Sequence, residues 1–453
     1  MGFDLIGEAS GRLVLDRPRE MPAPRPEPPC EAAPRAAVAP PPLDADRTER
    51  APLAPANEPS TARSVAADAA RLSGRITTLR RSLFAPDGGK TFRALPSGEV
   101  ARLLGVSDSY LRHLALSGEG PDPAKHNGRR FYTLDQVGEL RSAIHAKGGT
   151  RLATAGWPTR GEGEHCQVLA VANFKGGSGK TTTTVHLAQY LALRGYRTLA
   201  VDLDPQASLS ALLGHQPETD VGPGETLYGA IRYDDPRDCA EVVRRTYMRG
   251  LDLVPGNLEL HEFEHETPRA LTGRTGGAPF FARVAAALDS VAHDYDAVVI
   301  DCPPQLGFLT LGALCAATGV LVTVHPQMLD VASMSQFLNM TADLMGVVEG
   351  AGAASRLDFL RYLVTRHEPQ DGPQAQVIAF LRTMFGERVL TATMVKSAAV
   401  SDAGLSKQTL YEVPREAMDR RTHDRARASL DAVNGEVETL MRAAWGRTDA
   451  NRA

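Results

Sequence analysis

Apolar residues follow three successive patterns along the chain. After Thr61 they recur at spacings of three and four residues, as on one face of a helix; they are Val65, Ala69, Leu72, Ile76, Leu79 and Leu83. Short helical patterns separated by turn residues occupy 91–146. Beyond residue 166, short apolar runs alternate with helical stretches, which indicates a mostly parallel sheet covered on both faces. The predicted fold class is therefore an α/β domain preceded by a small helical domain.

Seven short apolar runs are predicted to be the strands of the α/β domain. They are Val168–Ala172, Thr198–Val201, Leu251–Val254, Ala297–Ile300, Val320–Val324, Leu360–Val364 and Val389–Ala392. Helical stretches separate most of these runs, as the crossovers of a parallel sheet require.

Composition marks the boundaries between the segments. Residues 1–60 are rich in proline and alanine, and such a composition cannot offset chain entropy by burial, so a disordered tail is expected. The helix at 61–90 either packs on its own domain or mediates dimerisation. The predicted order is a tail at 1–60, a helix at 61–90, a small domain at 91–146, a linker rich in Gly and Pro at 147–165 and the α/β domain at 166–447.

The small domain begins with the pattern of a helix-turn-helix. A short helix ends at Leu104, and Gly105 supplies a tight turn. Ser107 can cap a second helix, which runs from Asp108 to about Leu116. Apolar residues on both helices suit packing across the turn.

A basic hairpin and a third helix extend this pattern to a winged helix-turn-helix. Asn127-Gly128 is the tip of the hairpin. Thr133 and Gln136 form a capping box that opens the third helix toward Ile144. The segment resembles the MerR-like DNA-binding modules, although a small helical domain without DNA affinity has a similar pattern.

Charge is unevenly distributed along the chain. Between Arg71 and Arg151 there are 14 Lys and Arg against 7 Asp and Glu, a balance of +7; the whole chain carries −4, so the remainder carries −11. A basic front on an acidic remainder suggests that the small domain contacts DNA, although a solvated basic face has the same composition. The predicted DNA-binding residues are Arg112, Lys125, Arg129 and Arg130.

Cysteine spacing and hydropathy argue against several classes of protein. The five cysteines include no CxxC pair, so neither a disulfide framework nor a zinc knuckle is indicated, and a reducing cytoplasm fits. No apolar run approaches ~18 residues, so no transmembrane helix is expected. The helix predicted at Asp419–Trp445 mixes acidic and basic residues on its polar face, which favours core packing over membrane binding.

A glycine-rich loop follows the first apolar strand and precedes a helix, which is the context of a phosphate-binding loop. Glycines let backbone N–H groups surround phosphate oxygens, and the helix N-terminus adds positive potential. Lys180 can reach the β- and γ-phosphates of a nucleotide, and Thr181 can ligate Mg²⁺. The predicted binding residues of the loop are Gly176, Gly177, Ser178, Gly179, Lys180, Thr181 and Thr182.

Carboxylates follow two further apolar strands. Asp202 and Asp204 lie on the same side at the carboxyl end of one strand, where the sites of α/β proteins lie. Asp301 ends another apolar strand in a Walker B arrangement, and we expect it to hold Mg²⁺, through water. Asp202 is expected to support the metal shell.

The loop also contains an earlier lysine, Lys175, in the sequence Lys-Gly-Gly-Ser-Gly-Lys-Thr-Thr. This resembles the deviant Walker A loop of the ParA/MinD ATPases. The resemblance implies an ATP- and Mg²⁺-dependent homodimer in which Lys175 reaches the partner's nucleotide and Asp204 aids the attacking water. The catalytic residues that it implies are Lys175, Lys180 and Asp204. It also places Met394 and Lys396 in the segment that flanks adenine, although the usual Pro-Arg-Asn turn is replaced here by Val395-Lys396-Ser397.

With the winged helix-turn-helix at the N-terminal side, the order of segments resembles the ParA-type plasmid partition ATPases, and most of all the RepA group of repABC plasmids. The resemblance implies ATP-dependent non-specific DNA binding, stimulation of hydrolysis by a ParB/RepB-like centromere-binding partner, repression of the operon through the operator, and a cytoplasmic, nucleoid-associated protein without a membrane partner. A transcription regulator that uses ATP as a switch and a MinD-like membrane-cycling ATPase are the competing classes. The second would bind liposomes through the last 30 or so residues.

Overall fold

The computed structural model describes residues 61–83, 90–147, 158–273, 278–352 and 357–447, without the side chains of 76–83. The tail predicted at 1–60 and most of the predicted linker lie outside these residues. The chain falls into two units, Met1–Ser73 and Gly74–Ala453. Helix α1, Thr61–Leu83, crosses their boundary. Within the first unit Val65 and Leu72 on this helix are exposed. Packing of the helix on its own domain and dimerisation through it both stay predictions.

The second unit begins with the winged helix-turn-helix, and its elements follow the predicted order. Helices α2 and α3 precede the wing strands β2 and β3, and α4 follows; short strand β1 pairs with β3 in a sheet of order β1-β3-β2. The bounds are β1 Leu95–Pro96, α2 Ser97–Leu104, α3 Asp108–Leu116, β2 Ala124–His126, β3 Arg129–Tyr132 and α4 Leu134–Ala146.

The helix caps and the hairpin turn of this domain form as the sequence predicted. Ser107 accepts a hydrogen bond from the Tyr110 amide at 3.2 Å and caps α3. Both bonds of the Thr133–Gln136 capping box are formed. Asn127 has φ +47°, the left-handed conformation that a two-residue hairpin turn requires and that asparagine tolerates.

The α/β domain is a seven-stranded sheet with helices on both faces. Its strand order is β10-β9-β4-β8-β5-β7-β6, parallel throughout except for the edge strand β6. The strand bounds are β4 Gln167–Ala172, β5 Thr198–Asp202, β6 Arg244–Arg245, β7 Leu251–Val254, β8 Ala297–Asp301, β9 Gly319–Val324 and β10 Phe359–Val364. The helix bounds are α5 Lys180–Arg194, α6 Ser208–Leu212, α7 Leu227–Ile231, α8 Cys239–Val242, α9 Leu260–Thr272, α10 Phe280–Val291, α11 Phe308–Ala316, α12 Met328–Gly350, α13 Gly372–Phe385, α14 Ala398–Leu405 and α15 Arg420–Ala444.

Six of the seven predicted strands are present, and the seventh is not. The run Val389–Ala392 makes one bridge, between Val389 and Tyr362, and stays beside β10 through single hydrogen bonds from the Leu390 and Met394 amides without forming a strand. Val389 and Leu390 are buried in the core, so burial and not strand pairing explains the pattern. The two-residue strand β6 was not predicted, because two arginines carry no apolar signal.

The C-terminal helix α15 packs into the core, as its mixed polar face predicted. Leu430, Val433, Val437 and Met441 are buried against the α/β domain. No helix among the described residues combines the length and apolar character needed to cross a membrane.

The winged helix-turn-helix and the residues just before it are joined to the α/β domain by a shared core and by buried cations. Lys90 donates to the carbonyls of Leu212 and Lys407, at 2.5 and 2.7 Å, and lies 2.9 Å from a carboxylate oxygen of Glu412, which is 2% exposed. Arg93 donates to the carbonyl of Tyr411 at 2.9 Å. Burial lowers the pKa of Lys90, and Glu412 partly offsets this effect. The two domains therefore meet across an interface that contains desolvated charge.

We expect Glu412→Gln to destabilise the full chain by about 2–3 kcal/mol, because the buried Lys90 ammonium would lose its counter-charge. Equilibrium urea unfolding measures the loss. Glu416→Gln is the matched control, since Glu416 is an exposed glutamate in the same segment and should change the free energy of unfolding by less than about 0.5 kcal/mol. Equal unfolding midpoints for the two variants would contradict the role given to this ion pair.

Candidate nucleotide-binding site

The phosphate-binding loop connects the end of β4 to the start of α5, and its glycines meet two backbone requirements. Gly177 and Gly179 have φ +74° and +90°, the left-handed region that favours glycine. A Cβ atom at Gly179 would also lie 3.4 Å from the side chain of Thr365, which directly follows β10. The loop therefore lines a cavity and leads directly into the N-terminus of α5.

Side chains from neighbouring strands hold the loop in this shape. Asn173 donates to the carbonyl of Thr323 at 2.5 Å and accepts from the Lys175 amide at 3.0 Å. Thr365 donates to the Ser178 carbonyl at 2.7 Å. The Ser178 hydroxyl faces the Thr323 hydroxyl at 2.9 Å and is buried, so this predicted binding residue fixes the loop through its side chain.

A cavity of about 420 Å³ lies next to the loop, and most of the residues predicted for the nucleotide site line it. Lys180 is 6% exposed, and its ammonium donates to the Lys175 carbonyl at 3.2 Å. Burial lowers the pKa of Lys180, while the carboxylates of Asp301 and Asp204 act in the opposite direction. The predicted residues that line the cavity are Gly176, Gly177, Gly179, Lys180, Thr181, Thr182, Asp204, Met394 and Lys396.

Four predicted residues do not line this cavity: Lys175, Ser178, Asp202 and Asp301. Asp202 and Asp301 lie just beneath it, as directly paired residues on β5 and β8. Both carboxylates are completely buried. Each therefore depends on neighbouring donors or on a cation.

Asp202 already has its donors. One carboxylate oxygen accepts from the Ser210 amide and hydroxyl, at 2.8 and 2.7 Å, and the other accepts from the Asp204 amide at 3.2 Å. Burial nevertheless raises the pKa of Asp202 to about 7, against the lowering effect of these bonds. This arrangement suits a residue that orients the turn carrying Asp204.

Asp301 lacks donors on one side. Oδ1 lies 3.4 Å from the Thr184 hydroxyl, whereas the buried Oδ2 has no hydrogen-bond partner among the described residues. Burial, followed by the charge of Asp202, raises the pKa of Asp301 well above its usual range. An unpaired carboxylate oxygen beside Thr181, at the edge of a cavity with phosphate-binding geometry, fits the hard oxygen ligation that Mg²⁺ requires. Thr181 and Asp301 are the residues that would hold this ion.

Asp204 projects into the cavity from the turn after β5. Oδ1 accepts from the Gln206 amide at 3.0 Å, which orients the half-buried carboxylate toward the loop. Asp204 lies at the mouth of the cavity, where water can reach its carboxylate. A residue that contacts an attacking water needs this access.

Lys175 points away from the cavity of its own chain. Its ammonium forms an ion pair with Asp330 on α12, which also lies 3.1 Å from Nδ1 of His325. The Lys175 side chain is 43% exposed, whereas Asp330 is buried. The Lys175 side chain is thus half-exposed beside the phosphate-binding loop, and it is not among the residues that line the cavity of its own chain.

The far wall of the cavity comes from the C-terminal part of the chain. Val395 donates its amide to the Ser429 hydroxyl at 2.9 Å, and this hydroxyl donates to the Thr393 carbonyl at 2.9 Å, so α15 holds the segment in place. Met394 is buried, whereas Lys396 is exposed and forms an ion pair with Glu368 at 2.9 Å.

Several lining residues were not predicted as site residues. Arg366 has φ +52°, which is uncommon for a residue with a side chain, and it donates to the Gly177 carbonyl at 3.1 Å. The others are Pro304, Thr365, Val395, Ser397, Val400, Ser401 and Leu430. A polar Thr365-Arg366 pair directly after an apolar strand is the signal that could have identified the first of these, because the carboxyl ends of parallel strands share one edge of the sheet.

The predicted DNA-binding residues all lie on the winged helix-turn-helix, away from the cavity lining. Arg112 is exposed on α3, 3.8 Å from Asp108. Lys125 and Arg130 are paired across the wing, and Arg129 precedes Arg130. Arg130 is only half-exposed, and its buried Nε has no hydrogen-bond partner among the described residues.

The strand, glycine-rich loop, Lys-Thr and buried strand-end carboxylate define a P-loop nucleotide triphosphatase. The family described as "AAA domain" matches residues 166–348, and the family described as "MerR HTH family regulatory protein" matches residues 95–153. A Rhizobium rhizogenes protein named "Putative replication protein A" is 54% identical over 83% of this chain and 93% of its own length. Protein SopA of Escherichia coli is 31% identical over 74% of this chain and 84% of its own length.

A solved structure named "Partition Protein" has a TM-score of 0.58 at 18% identity, over 83% of this chain and 98% of that one, and shows that the fold is shared. The chain belongs to the ParA family of partition ATPases, in the group that carries an N-terminal helix-turn-helix. It is therefore an ATP-binding ATPase, and the resemblance of its loop to the deviant Walker A type is confirmed at the level of the family.

The Asp202 carboxyl gives a pH dependence with a definite sign. Its pKa in the folded chain, about 7, exceeds the ~3.9 of an exposed aspartate, so between about pH 4 and 7 the folded chain holds a proton that the unfolded chain has released. The free energy of unfolding of the chain without nucleotide and Mg²⁺ should therefore fall as pH rises through this window, by up to about 4 kcal/mol.

Urea unfolding from pH 4.5 to 8 in EDTA, with the parent and Asp202→Asn compared at each pH, isolates this contribution. The parent should be the more stable at the acid end, and the difference should shrink or reverse at pH 8. A difference that is constant with pH would contradict the raised pKa. Asp204→Asn is the control for removal of a carboxylate in the same turn.

Proposed function

We propose that this chain drives the partition of a low-copy plasmid. ATP binding produces a homodimer that binds DNA without sequence preference, a ParB/RepB-like centromere-binding partner stimulates hydrolysis, and the winged helix-turn-helix represses the operon by binding its operator. The observation that carries the proposal is the joining, in one chain, of a ParA-family ATPase domain to a MerR-like winged helix-turn-helix. The names of its relatives, which include "Protein SopA" and "Chromosome partitioning protein ParA", point to the same process.

Dimerisation through nucleotide is supported by the position of Lys175. Its ammonium reaches Asp330 and not its own cavity, so its contribution to a phosphate would be made in a second subunit. When this lysine crosses, it gives up its pairing with Asp330 and neutralises charge on the transferred phosphate of the partner's nucleotide, as an arginine finger does. ATP is therefore both the substrate of the dimer and part of its interface.

The remaining roles follow from the geometry of the cavity. Lys180 binds the β- and γ-phosphates, the amides of 176–182 surround them, and Thr181 and Asp301 hold Mg²⁺, with Asp202 behind them. Asp204 orients the attacking water. Mg²⁺ supplies neutralisation of phosphate charge when it is bound. The base packs against Met394 and lies near the stem of Lys396.

Two different DNA contacts are proposed. Arg112 on α3 lies where a recognition helix contacts the major groove, and Lys125, Arg129 and Arg130 on the wing neutralise backbone phosphates of the operator. The non-specific DNA contact belongs to the ATP-bound dimer and depends on phosphate neutralisation, so it weakens steeply with salt. The protein accordingly acts in the cytoplasm, on the nucleoid.

The two lysines of the loop should separate binding from dimerisation. Lys180→Ala should weaken ATP binding by about 10- to 100-fold, because a charge-assisted contact to phosphate is lost. Lys175→Ala should retain ATP affinity within about threefold but stay monomeric with ATP and Mg²⁺. Calorimetry measures the affinity for ATP, and analytical ultracentrifugation measures dimerisation. ATP-dependent dimerisation of Lys175→Ala would contradict the crossing of this lysine.

Plasmid loss tests the biological function directly. Deletion of the gene should raise the loss of its plasmid per generation by at least about tenfold, and the parent gene supplied in trans should restore retention. Asp204→Ala should fail to restore it and should trap a DNA-bound, ATP-bound dimer with hydrolysis at least about 100-fold slower. Normal retention without the gene, together with tight operator binding, would identify a dedicated transcription regulator instead.

A further inference from the structure

A second cavity, of about 800 Å³, lies between the winged helix-turn-helix and the ATPase domain, within the unit Gly74–Ala453. One wall is made by α2 and the wing, and the opposite wall by the segment around Pro414 and by the first turns of α15. The guanidinium groups that line it are those of Arg93, Arg102, Arg129, Arg194, Arg415 and Arg427.

Most of these arginines are already neutralised. Glu99 accepts from Arg93 at 2.7 Å and lies 3.3 Å from Arg427. Arg415 forms a two-pronged ion pair with Asp424, and Arg194 lies 3.3 Å from Glu438. Two others, Arg102 and Arg129, are exposed and have no ion pair or side-chain hydrogen bond among the residues that the structure describes. The cavity lining therefore carries six arginines against four carboxylates, those of Glu99, Glu416, Asp424 and Asp431, and two of the arginines come without an ion pair from the helix-turn-helix side.

A buried imidazole belongs to the lining of the same cavity on the ATPase side. The His423 side chain on α15 is 6% exposed and lines the cavity. Its Nε2 has no hydrogen-bond partner among the described residues, and Nδ1 is 3.5 Å from the nearest oxygen of Asp424, too long for a good hydrogen bond. A polar group that is buried without a partner is costly to the fold unless another molecule completes its bonding.

We propose that this cavity binds a phosphate group, with Arg102, Arg129 and His423 as its ligands. A phosphate offers several acceptor oxygens at one centre, guanidinium groups match them in charge and geometry, and the imidazole supplies a further N–H donor. A backbone phosphate of DNA and a free phosphorylated metabolite share this chemistry. The DNA backbone is favoured, because Arg129 belongs to the wing and Arg102 to the first helix of the same DNA-binding unit.

With DNA as the source, the ATPase domain contributes a side chain of its own to the contact with DNA. The identification of DNA as the source of the phosphate rests on the proposed DNA binding of the winged helix-turn-helix. The proposal of a phosphate site in this cavity does not depend on that DNA binding.

The first experiment observes His423 directly in the full chain saturated with Mg²⁺ and ADP. Histidine labelled with ¹³C at Cε1 gives one resonance for each ring, and His423→Leu identifies the relevant one by its disappearance. A shift with 10 mM orthophosphate identifies a free phosphate as a ligand, and a shift with a 30-base-pair operator duplex but not with orthophosphate identifies the DNA backbone. Either result supports the site, whereas an unmoved resonance in both titrations overturns it.

The second experiment measures duplex affinity by fluorescence anisotropy at several salt concentrations. Arg102→Gln and His423→Leu should each weaken binding by about 5- to 10-fold, and Arg102→Gln should reduce the slope of log K against log salt by about 0.9, the value for one lost phosphate contact. Arg425→Gln is the matched control, since it removes one exposed charge from α15 outside the cavity lining and should bind within about twofold of the parent.

Affinities for Arg102→Gln and His423→Leu equal to that of Arg425→Gln would exclude DNA as the ligand of the cavity. A parent chain that binds no duplex at all would instead refute the proposed operator binding. The orthophosphate titration would then still decide whether the cavity is a phosphate site.

Discussion

The energetic constraint at the centre of this protein is the burial of two carboxylates side by side. Asp202 and Asp301 end adjacent strands at the same level, with no exposure to solvent. Two like charges without water are strongly unfavourable, so each needs protons, donors or cations. Asp202 obtains donors from Ser210 and the following turn, while one buried oxygen of Asp301 has no hydrogen-bond partner among the described residues. The nearly buried ammonium of Lys180 supplies positive charge close to this pair.

Segments far apart in the chain complete the site around this pair. The loop follows the interior strand β4, the carboxylates end β8 and β5 on one side of it, and the far wall comes from residues after β10 on the other side. Helix α15 closes the arrangement, since Ser429 fixes the segment that contains Met394. The last helix of the chain is therefore part of the nucleotide cavity as well as of the core.

Local features could be predicted from the sequence because their causes are local. The capping box of α4, the Asn-Gly hairpin and the glycine-rich loop depend on residues a few positions apart. The contact of Lys175 with Asp330 could not be predicted, since it joins residues 155 positions apart through the packing of α12 on the sheet. The strand predicted at Val389–Ala392 was wrong for a related reason, because an apolar run that is buried in the core without strand pairing has the same pattern as a strand.

Lys90 and Glu412 carry a consequence for the evolution of such chains. A DNA-binding unit that is fused to the N-terminal side of an enzyme is usually regarded as an exchangeable module, free to be gained or lost as a cassette. Here the enzyme positions a nearly inaccessible carboxylate at the boundary, and its counter-ion, Lys90, comes from the chain just before the other module. Removal or exchange of the N-terminal module would thus leave an unpaired charge buried inside the enzyme. The two parts are therefore constrained to change together.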